Sequence, residues 1–407
     1  MRYELDSCLA MIVAALLLTA YAGADPEPLP SVVKSPSDFI SSGTESIKVA
    51  GIFSLTGGQS SLGVPAAKGA KLAAKEINAA GGLLGRPLEI VLQDDEYKME
   101  LIPEIAQQLI EQDDVVIGIG FTDSDSMLAG GPSFQRAGLP FITAGATSPR
   151  IPEEVGDMVF LACFGDNTQA AAGAEYAVEN FGSKAYLLWD NSAEYTALLA
   201  GYFKTSFLEF NGSIVLEDTF DGNATDLSAQ INNLKTLSEQ PDFYYIAAMP
   251  YNAGIVVKQF RRAGLTGPIV GGDGYDSPDI VTVAGNASDY VFFSTHALMD
   301  PQNGTEDVKR FIVAYKDEYG YNPENAFAAL GYDTVYLVAD AIERAGSADP
   351  RDIRIAIQET EDFHGITGNI SYPNGAHVPL KDVTIVAIKD GKFALGAVLP
   401  PEKVAAP

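Results

Sequence analysis

Two loops in the first half of the chain place hydroxyl groups directly after predicted strands. The strand predicted over residues 115–120 is followed by Phe121-Thr122-Asp123-Ser124-Asp125-Ser126, which opens a predicted helix. The strand predicted over 139–144 leads into Gly145-Ala146-Thr147-Ser148-Pro149. Because helix N-termini and free backbone N–H groups favour anions, the two loops together suit a carboxylate. Helix capping is the competing interpretation and the better one for either loop alone, and the two aspartates oppose an anion unless they point away.

An acid between glycines ends a predicted strand in the second half of the chain. Residues 269–272 run into Gly272-Asp273-Gly274, where a carboxylate could hold an ammonium group. The alternative is a turn in which Asp273 caps the next element, and the sequence does not separate the two interpretations. Several large side chains end or follow strands of this half and could form the wall of an apolar pocket, although most such residues are simply core. They are Trp189, Tyr195, Met249, Tyr251 and Tyr275.

The chain offers few groups that could serve as a catalytic nucleophile, base or metal ligand. Its three histidines, His296, His364 and His377, are too scattered for a metal-binding spacing or for a base beside a nucleophile. Apolar residues flank Cys163, so a buried structural cysteine is the simpler interpretation. The sequence contains no nucleophile elbow, phosphate-binding loop or dinucleotide-binding glycine pattern. It therefore predicts a protein that is not an enzyme and that has no metal site and no cofactor.

The elements that must position these loops alternate between short β-branched runs and helical patterns. Strands are predicted over 47–53 and 88–92, and Gly81-Gly82 ends the helical stretch between them by supplying left-handed backbone. The alternation continues to residue 144 and starts again after residue 164, with strands predicted over 185–189, 214–217, 243–248 and 269–272. The chain ends in two strands around a two-residue turn at Asp390-Gly391. This order predicts an α/β fold of two doubly wound parallel-sheet lobes.

The ends and the charge of the chain indicate an exported protein. An apolar run over 9–18 follows Arg2 and precedes small residues, which predicts a signal peptide or short anchor in residues 1–24. Residues 25–46 are rich in Pro and Ser and read as a linker. The 26 Lys and Arg residues against 54 Asp and Glu give a net charge of −28, which repels phosphate backbones and excludes nucleic acid as a partner. We expect a monomer that is periplasmic or associated with the cell surface.

Five segments in order make the chain resemble the type I periplasmic solute-binding proteins of the branched-chain amino acid family. The segments are 77–87 (INAAGGLLGRP), 93–95 (QDD), 142–149 (ITAGATSP), 258–265 (KQFRRAGL) and 363–368 (FHGITG). The resemblance covers residues 47–398 and implies two lobes joined by three hinge crossings, near Phe164, His296 and Asp382. It implies one lobe of residues 47–164 plus 297–382, and a second of 165–296 plus 383–403.

The resemblance also implies which residues bind a ligand. Thr122, Gly145 and Thr147 are expected to hold an α-carboxylate, and Asp273 an α-ammonium, with help from the Gly145 carbonyl and the Thr147 hydroxyl. Tyr195 resembles the cleft tyrosine of the family, and Phe121 and Met249 are predicted to complete the site. Some positions depart from the family pattern: Thr122 replaces the usual serine, Asp273 replaces a longer Glu, and Leu62 and Met249 replace larger aromatics.

The predicted function is that of an extracytoplasmic receptor. The protein would capture an amino acid or similar small ligand between its lobes and deliver it to the membrane permease of an ABC transporter. The alternative is an extracellular ligand-sensing domain for a signalling partner, since the same fold serves both purposes.

Overall fold

The computed structural model describes residues 45–112, 114–400 and 402–407. The predicted export signal and residues 25–44 of the predicted linker lie outside these residues. Within the described ranges, no helix combines the length and the apolar character needed to cross a membrane.

The first sheet consists of five parallel strands in the order β2-β1-β3-β4-β5. Its strands are β1 (Ile47–Phe53), β2 (Leu88–Asp94), β3 (Ile117–Gly120), β4 (Phe141–Thr143) and β5 (Val159–Leu161). All residues of β3, β4 and β5 are buried, which explains why parallel strands appear in the sequence as continuous apolar runs. The sequence prediction missed β5, since it placed no strand between residues 144 and 164.

The second sheet repeats this order and adds a hairpin, giving β14-β13-β10-β9-β8-β6-β7. Its strands are β6 (Lys184–Asp190), β7 (Ser213–Phe220), β8 (Phe243–Ala247), β9 (Ile269–Gly271), β10 (Val291–Thr295), β13 (Val383–Lys389) and β14 (Lys392–Leu399). The first five run parallel, whereas β13 is antiparallel to both β10 and β14. Positive φ angles of 51° at Asp390 and 67° at Gly391 match a tight hairpin turn and confirm the predicted turn. The second sheet is therefore parallel except for the antiparallel hairpin at its edge, and the predicted α/β class with two parallel-dominated sheets is confirmed.

Helices separate the strands of both sheets, as the alternation in the sequence predicts. They are α1 (Ser60–Ala79), α2 (Ile102–Gln112), α3 (Ser124–Ala137), α4 (Ile151–Val155), α5 (Asp166–Asn180), α6 (Glu194–Glu209), α7 (Ser228–Lys235), α8 (Pro250–Arg262), α9 (Asp279–Ala284), α10 (Glu306–Tyr319), α11 (Ala326–Ala345) and α12 (Pro350–Gln358). A small hairpin of β11 (Phe363–Gly365) and β12 (Gly368–Ile370) follows α12. The sequence prediction missed α5, because every residue from Asp166 to Ala174 is buried and the helix lacks a polar face there.

Helix α11 packs against α1 on the first sheet, although the two helices lie far apart in the sequence. Two glycines allow the helix backbones to touch: a Cβ on Gly69 would lie 1.8 Å from the Ala328 carbonyl oxygen, and one on Gly331 would lie 2.0 Å from the Ala66 carbonyl oxygen. Leu330, together with other side chains of α11 and α12, is buried in the core of the first sheet. The chain thus leaves the first sheet after β5, returns to it after β10, and re-enters the second sheet at β13. The residue bounds given above for the two lobes stay a prediction.

Candidate functional site

A small cavity lined mostly by buried residues lies beyond the carboxyl ends of strands from both sheets, where open α/β folds bind ligands. Its lining comes from at least five separate segments of the chain. The lining residues are Gln59, Leu62, Thr122, Asp123, Gly145, Thr147, Tyr195, Pro250, Asp273, Gly274 and Phe327. Five of the seven residues predicted to bind the ligand, namely Thr122, Gly145, Thr147, Tyr195 and Asp273, therefore meet at one place.

The other two predicted residues do not reach this cavity. The Phe121 side chain is fully buried in the core of the first sheet, where its ring stacks on Phe141 with 5.0 Å between the ring centroids. The Met249 side chain is also fully buried, in the core of the second sheet, and its carbonyl oxygen accepts from the Ala253 N–H at the start of α8. Of the aromatic residues considered for an apolar wall, only Tyr195 lines the cavity. Tyr275 is fully buried in the core of the second sheet.

The loops after β3 and β4 are tied together at the first-sheet side of the cavity. The Thr143 hydroxyl donates to the Phe121 carbonyl oxygen at 2.8 Å and accepts from the Ala146 N–H at 2.8 Å. Phe121 has a φ angle of 47°, so the backbone turns sharply before Thr122. The Thr122 hydroxyl is buried and has no hydrogen-bond partner among the described residues. A buried hydroxyl in this state is available to a ligand.

The carboxyl groups of the two aspartates in the first loop accept hydrogen bonds at helix N-termini, although Asp123 also lines the cavity. Asp123 caps α3: its Oδ1 accepts from the Ser126 N–H at 3.0 Å and its Oδ2 accepts from the Ser126 hydroxyl at 2.7 Å. Asp125 Oδ1 accepts from the Glu194 N–H at 3.1 Å, at the start of α6 in the other half of the molecule. Burial, and secondarily the neighbouring Asp125 carboxylate, raise the pKa of Asp123 to about 7. The carboxyl groups that seemed to oppose an anion are therefore used in capping two helices.

Asp273 lies on the second-sheet side of the cavity, in a 3-10 turn directly after β9. Its Oδ1 accepts from the Tyr195 hydroxyl at 2.8 Å and from Gln169 Nε2 at 2.8 Å. The Tyr195 hydroxyl in turn accepts from the Gly274 N–H at 3.0 Å. Asp273 Oδ2 lies 3.3 Å from His296 Nε2, and burial lowers the pKa of His296, which favours its neutral form. The Asp273 carboxylate is thus fixed in position with no Lys or Arg beside it in the described residues.

A second buried carboxyl group, Asp166, stands next to Asp273 and was missed by the sequence prediction. The Gln169 amide donates to both acids, at 2.9 Å to Asp166 Oδ1 and at 2.8 Å to Asp273 Oδ1. Burial raises the pKa of Asp166 well above its usual range, and the Asp273 carboxylate raises it further. The signal that could have found Asp166 is its position shortly after β5, a strand that the sequence prediction missed. The raised pKa favours the neutral form of Asp166, so this residue does not add a second full negative charge beside Asp273.

A larger and more open groove lies near the predicted hinge crossings and has about 1190 Å³ of space. Apolar side chains such as Leu380 and Val398 form much of its wall, and Lys381 lies in it. The Lys381 ammonium is already bonded to the Ala162 carbonyl oxygen at 3.0 Å and to the Thr367 hydroxyl at 2.7 Å. The smaller cavity is the better site candidate, because five of the predicted ligand-binding residues line it and it joins the loops after β3 and β4 with Asp273 after β9.

Comparison with known proteins agrees with this arrangement. The sequence profile of the periplasmic binding protein family matches residues 46–392. A leucine-, isoleucine-, valine-, threonine- and alanine-binding protein of Pseudomonas aeruginosa is 26% identical over 343 residues, which are 84% of this chain and 89% of that protein.

Two solved structures are similar at 30% identity and a TM-score of 0.80, and each covers 87% of this chain. One is the branched-chain amino acid transporter substrate-binding protein LivJ of Streptococcus pneumoniae in complex with isoleucine, matched over 99% of its length. The other is the leucine-binding protein LivK of Thermotoga maritima, matched over 98% of its length. With the family profile spanning most of the sequence, the chain belongs to the periplasmic binding protein family of two-lobed solute receptors.

Proposed function

We propose that this protein captures an amino acid outside the cytoplasm and presents it to the permease of an ABC transporter. The observation that carries the proposal is the pairing, in one buried cavity, of the Asp273 carboxylate with the loops that hold Thr122 and Thr147. A zwitterionic amino acid has an anion and a cation separated by one carbon atom. The cavity offers hydroxyl and N–H groups on one side and a carboxylate on the other.

Each end of the ligand has a defined set of partners in this proposal. The α-carboxylate accepts from the Thr122 hydroxyl, the Thr147 hydroxyl and the backbone N–H groups beside Gly145. The α-ammonium donates to Asp273, whose orientation is fixed by Tyr195 and Gln169. Charge-assisted hydrogen bonds of this kind contribute about 1.5–3 kcal/mol each.

The ligand joins the two halves of the molecule, so binding favours their closure. The carboxylate loops follow β3 and β4 of the first sheet, whereas Asp273 follows β9 of the second sheet. The bond from the Glu194 N–H to Asp125 crosses the same gap and supports the closed arrangement. Closure would create the surface that a permease recognises.

Binding without chemical turnover fits the groups that surround the cavity. Burial raises the pKa of the Cys163 thiol, which disfavours the nucleophilic thiolate. Burial lowers the pKa of His296, whose Nε2 faces Asp273 and not a nucleophile. We further propose that the protein is exported and acts as a monomer.

A ligand screen tests the proposal directly. The purified protein is heated in the presence of each of the common amino acids and of the corresponding acids that lack the α-amino group, and its melting temperature is recorded. A ligand that binds only the folded state raises the melting temperature by mass action. We expect a rise with at least one amino acid and none with its deaminated counterpart. No rise with any amino acid would contradict the proposal.

A further inference from the structure

The Gln59 side chain is an unexplained polar group in the wall of the cavity. Gln59 precedes α1 and is 1% exposed, and its Oε1 has no hydrogen-bond partner among the residues that the structure describes. Its carbonyl oxygen accepts from the N–H groups of Leu62 and Gly63, so the backbone holds the residue in place. An unsatisfied buried amide is unfavourable, and native proteins rarely retain one that no partner or ligand completes.

The surroundings of Gln59 differ from the end of the cavity that is proposed to bind the α-ammonium. Two aromatic rings, those of Tyr97 and Tyr251, lie 6.5 Å apart, and a Cβ on Gly58, the residue before Gln59, would lie 3.2 Å from the Tyr251 ring. None of the hydrogen bonds made by Asp273 involves Gln59. The proposed function assigns the α-carboxylate and the α-ammonium of the ligand to other residues, so the Gln59 amide in the cavity wall is left for the ligand side chain.

We propose that the ligand has an uncharged polar side chain, a hydroxyl or a carboxamide, that hydrogen-bonds to the Gln59 amide. This inference rests on the proposed function and names the class of amino acid. Hydroxyl and carboxamide groups both donate and accept, so they complete the Gln59 amide in either orientation of its oxygen and nitrogen. The remaining wall near Gln59 includes Leu62 and Pro250, which can contact the carbon atoms of the ligand side chain.

The charges around Gln59 exclude ionised side chains. An anionic side chain would meet the Asp123 carboxyl group, which lines the same cavity. A cationic side chain would find a weak partner in Asp123, because burial raises the pKa of this carboxyl group to about 7 and leaves it partly neutral at neutral pH. A buried charge without a partner is strongly unfavourable.

Pairs of amino acids with nearly the same shape test this inference on the wild-type protein by calorimetry. The pairs are threonine and valine, asparagine and leucine, and glutamine and methionine. Each pair exchanges a polar group for an apolar one at similar volume. In at least one pair we expect the polar member to bind about tenfold more tightly or better, because a buried amide left unpaired weakens binding by roughly that factor or more.

Two substitutions assign the effect to Gln59. Gln59→Met removes the amide at nearly constant volume and should weaken binding of the preferred polar ligand about tenfold or more, while binding of its apolar partner is unchanged or stronger. Gln59→Glu keeps an acceptor and should retain more of the polar preference. Gln108→Met, the same change on the exposed face of α2, should alter neither affinity. The melting temperature of each variant without ligand shows whether it has folded.

The outcomes separate the inference from the proposed function. Binding of the apolar member of all three pairs as tightly as the polar member overturns the inference and leaves the amino-acid receptor intact. Tighter binding of lysine, arginine, aspartate or glutamate than of every uncharged amino acid also overturns it. Failure of every amino acid to bind overturns both.

Discussion

The Asp273 carboxylate makes the sharpest prediction about the ligand, because it is the only acid in the cavity with both oxygens turned towards neighbouring side chains of the second sheet. Asp273→Asn keeps the shape of the side chain and an oxygen that can accept from Tyr195 and Gln169, which both lie 2.8 Å from Oδ1. The substitution removes the negative charge and places an NH2 group opposite His296 Nε2, which in the neutral imidazole can be the acceptor nitrogen. We therefore expect it to fold as the wild type does and to lose affinity for amino acids.

The size of the loss follows from burial. Asp273 is 2% exposed, so water cannot replace it as the partner of a bound ammonium group. Breaking a buried ion pair by removing one partner costs about 3–5 kcal/mol, which corresponds to a loss in affinity of more than about a hundredfold. A hydrogen bond to a neutral partner, by comparison, contributes only about 0.5–1.5 kcal/mol.

Calorimetric titration of wild type and variant with the best amino acid from the ligand screen measures this loss. Asp279→Asn is the matched control, since Asp279 is exposed at the start of α9 and should not affect binding. The wild type should bind the deaminated ligand poorly, and the variant should discriminate much less between the two ligands. Equal affinity of Asp273→Asn and wild type for the amino acid would refute the assignment of Asp273 to the ammonium group.

Two further predictions concern the first-sheet side of the cavity. Gly145→Ala would place a Cβ 2.6 Å from Phe327 Cε1, so it should lower stability by about 1–3 kcal/mol and weaken ligand binding. Gly201→Ala is the control, because Gly201 lies in α6 with open space around the new Cβ, and this variant should be neutral or stabilising in thermal melts. Equal behaviour of the two variants would contradict the close contact between residue 145 and Phe327. The pKa of Asp123 is about 7 in the folded protein against about 3.9 when unfolded, so its contribution to stability is fully present below pH 4 and is lost as the pH rises through 7. Asp123→Asn retains a capping oxygen but cannot ionise, so it should reduce the fall in unfolding free energy between pH 4 and pH 8 by up to about 4 kcal/mol. Denaturant unfolding of wild type and variant across this pH range measures the difference. An unchanged pH profile in the variant would count against a raised pKa of Asp123.

The sequence by itself determined the class of fold and the loops of the candidate site. Continuous apolar runs such as β3 and β8 mark buried parallel strands, and the turn at Asp390-Gly391 marks a hairpin, because these signals are local and depend on backbone preferences. The same local order placed Thr122, Thr147 and Asp273 after strand ends, where α/β folds bind ligands.

Only the tertiary structure decided which side chains meet in the cavity. Gln169 and Asp273 are 104 residues apart and yet share a hydrogen bond, and no periodicity in the sequence encodes that contact. Phe327 reaches the cavity because α11 packs against α1 through glycines on both helices. Phe121 lies beside Thr122 in sequence, but its ring turns into the core, because its left-handed backbone, with a φ angle of 47°, redirects the chain between the two residues. The direction of a side chain and the identity of its distant partners depend on packing. The order of residues within a single loop does not specify that packing.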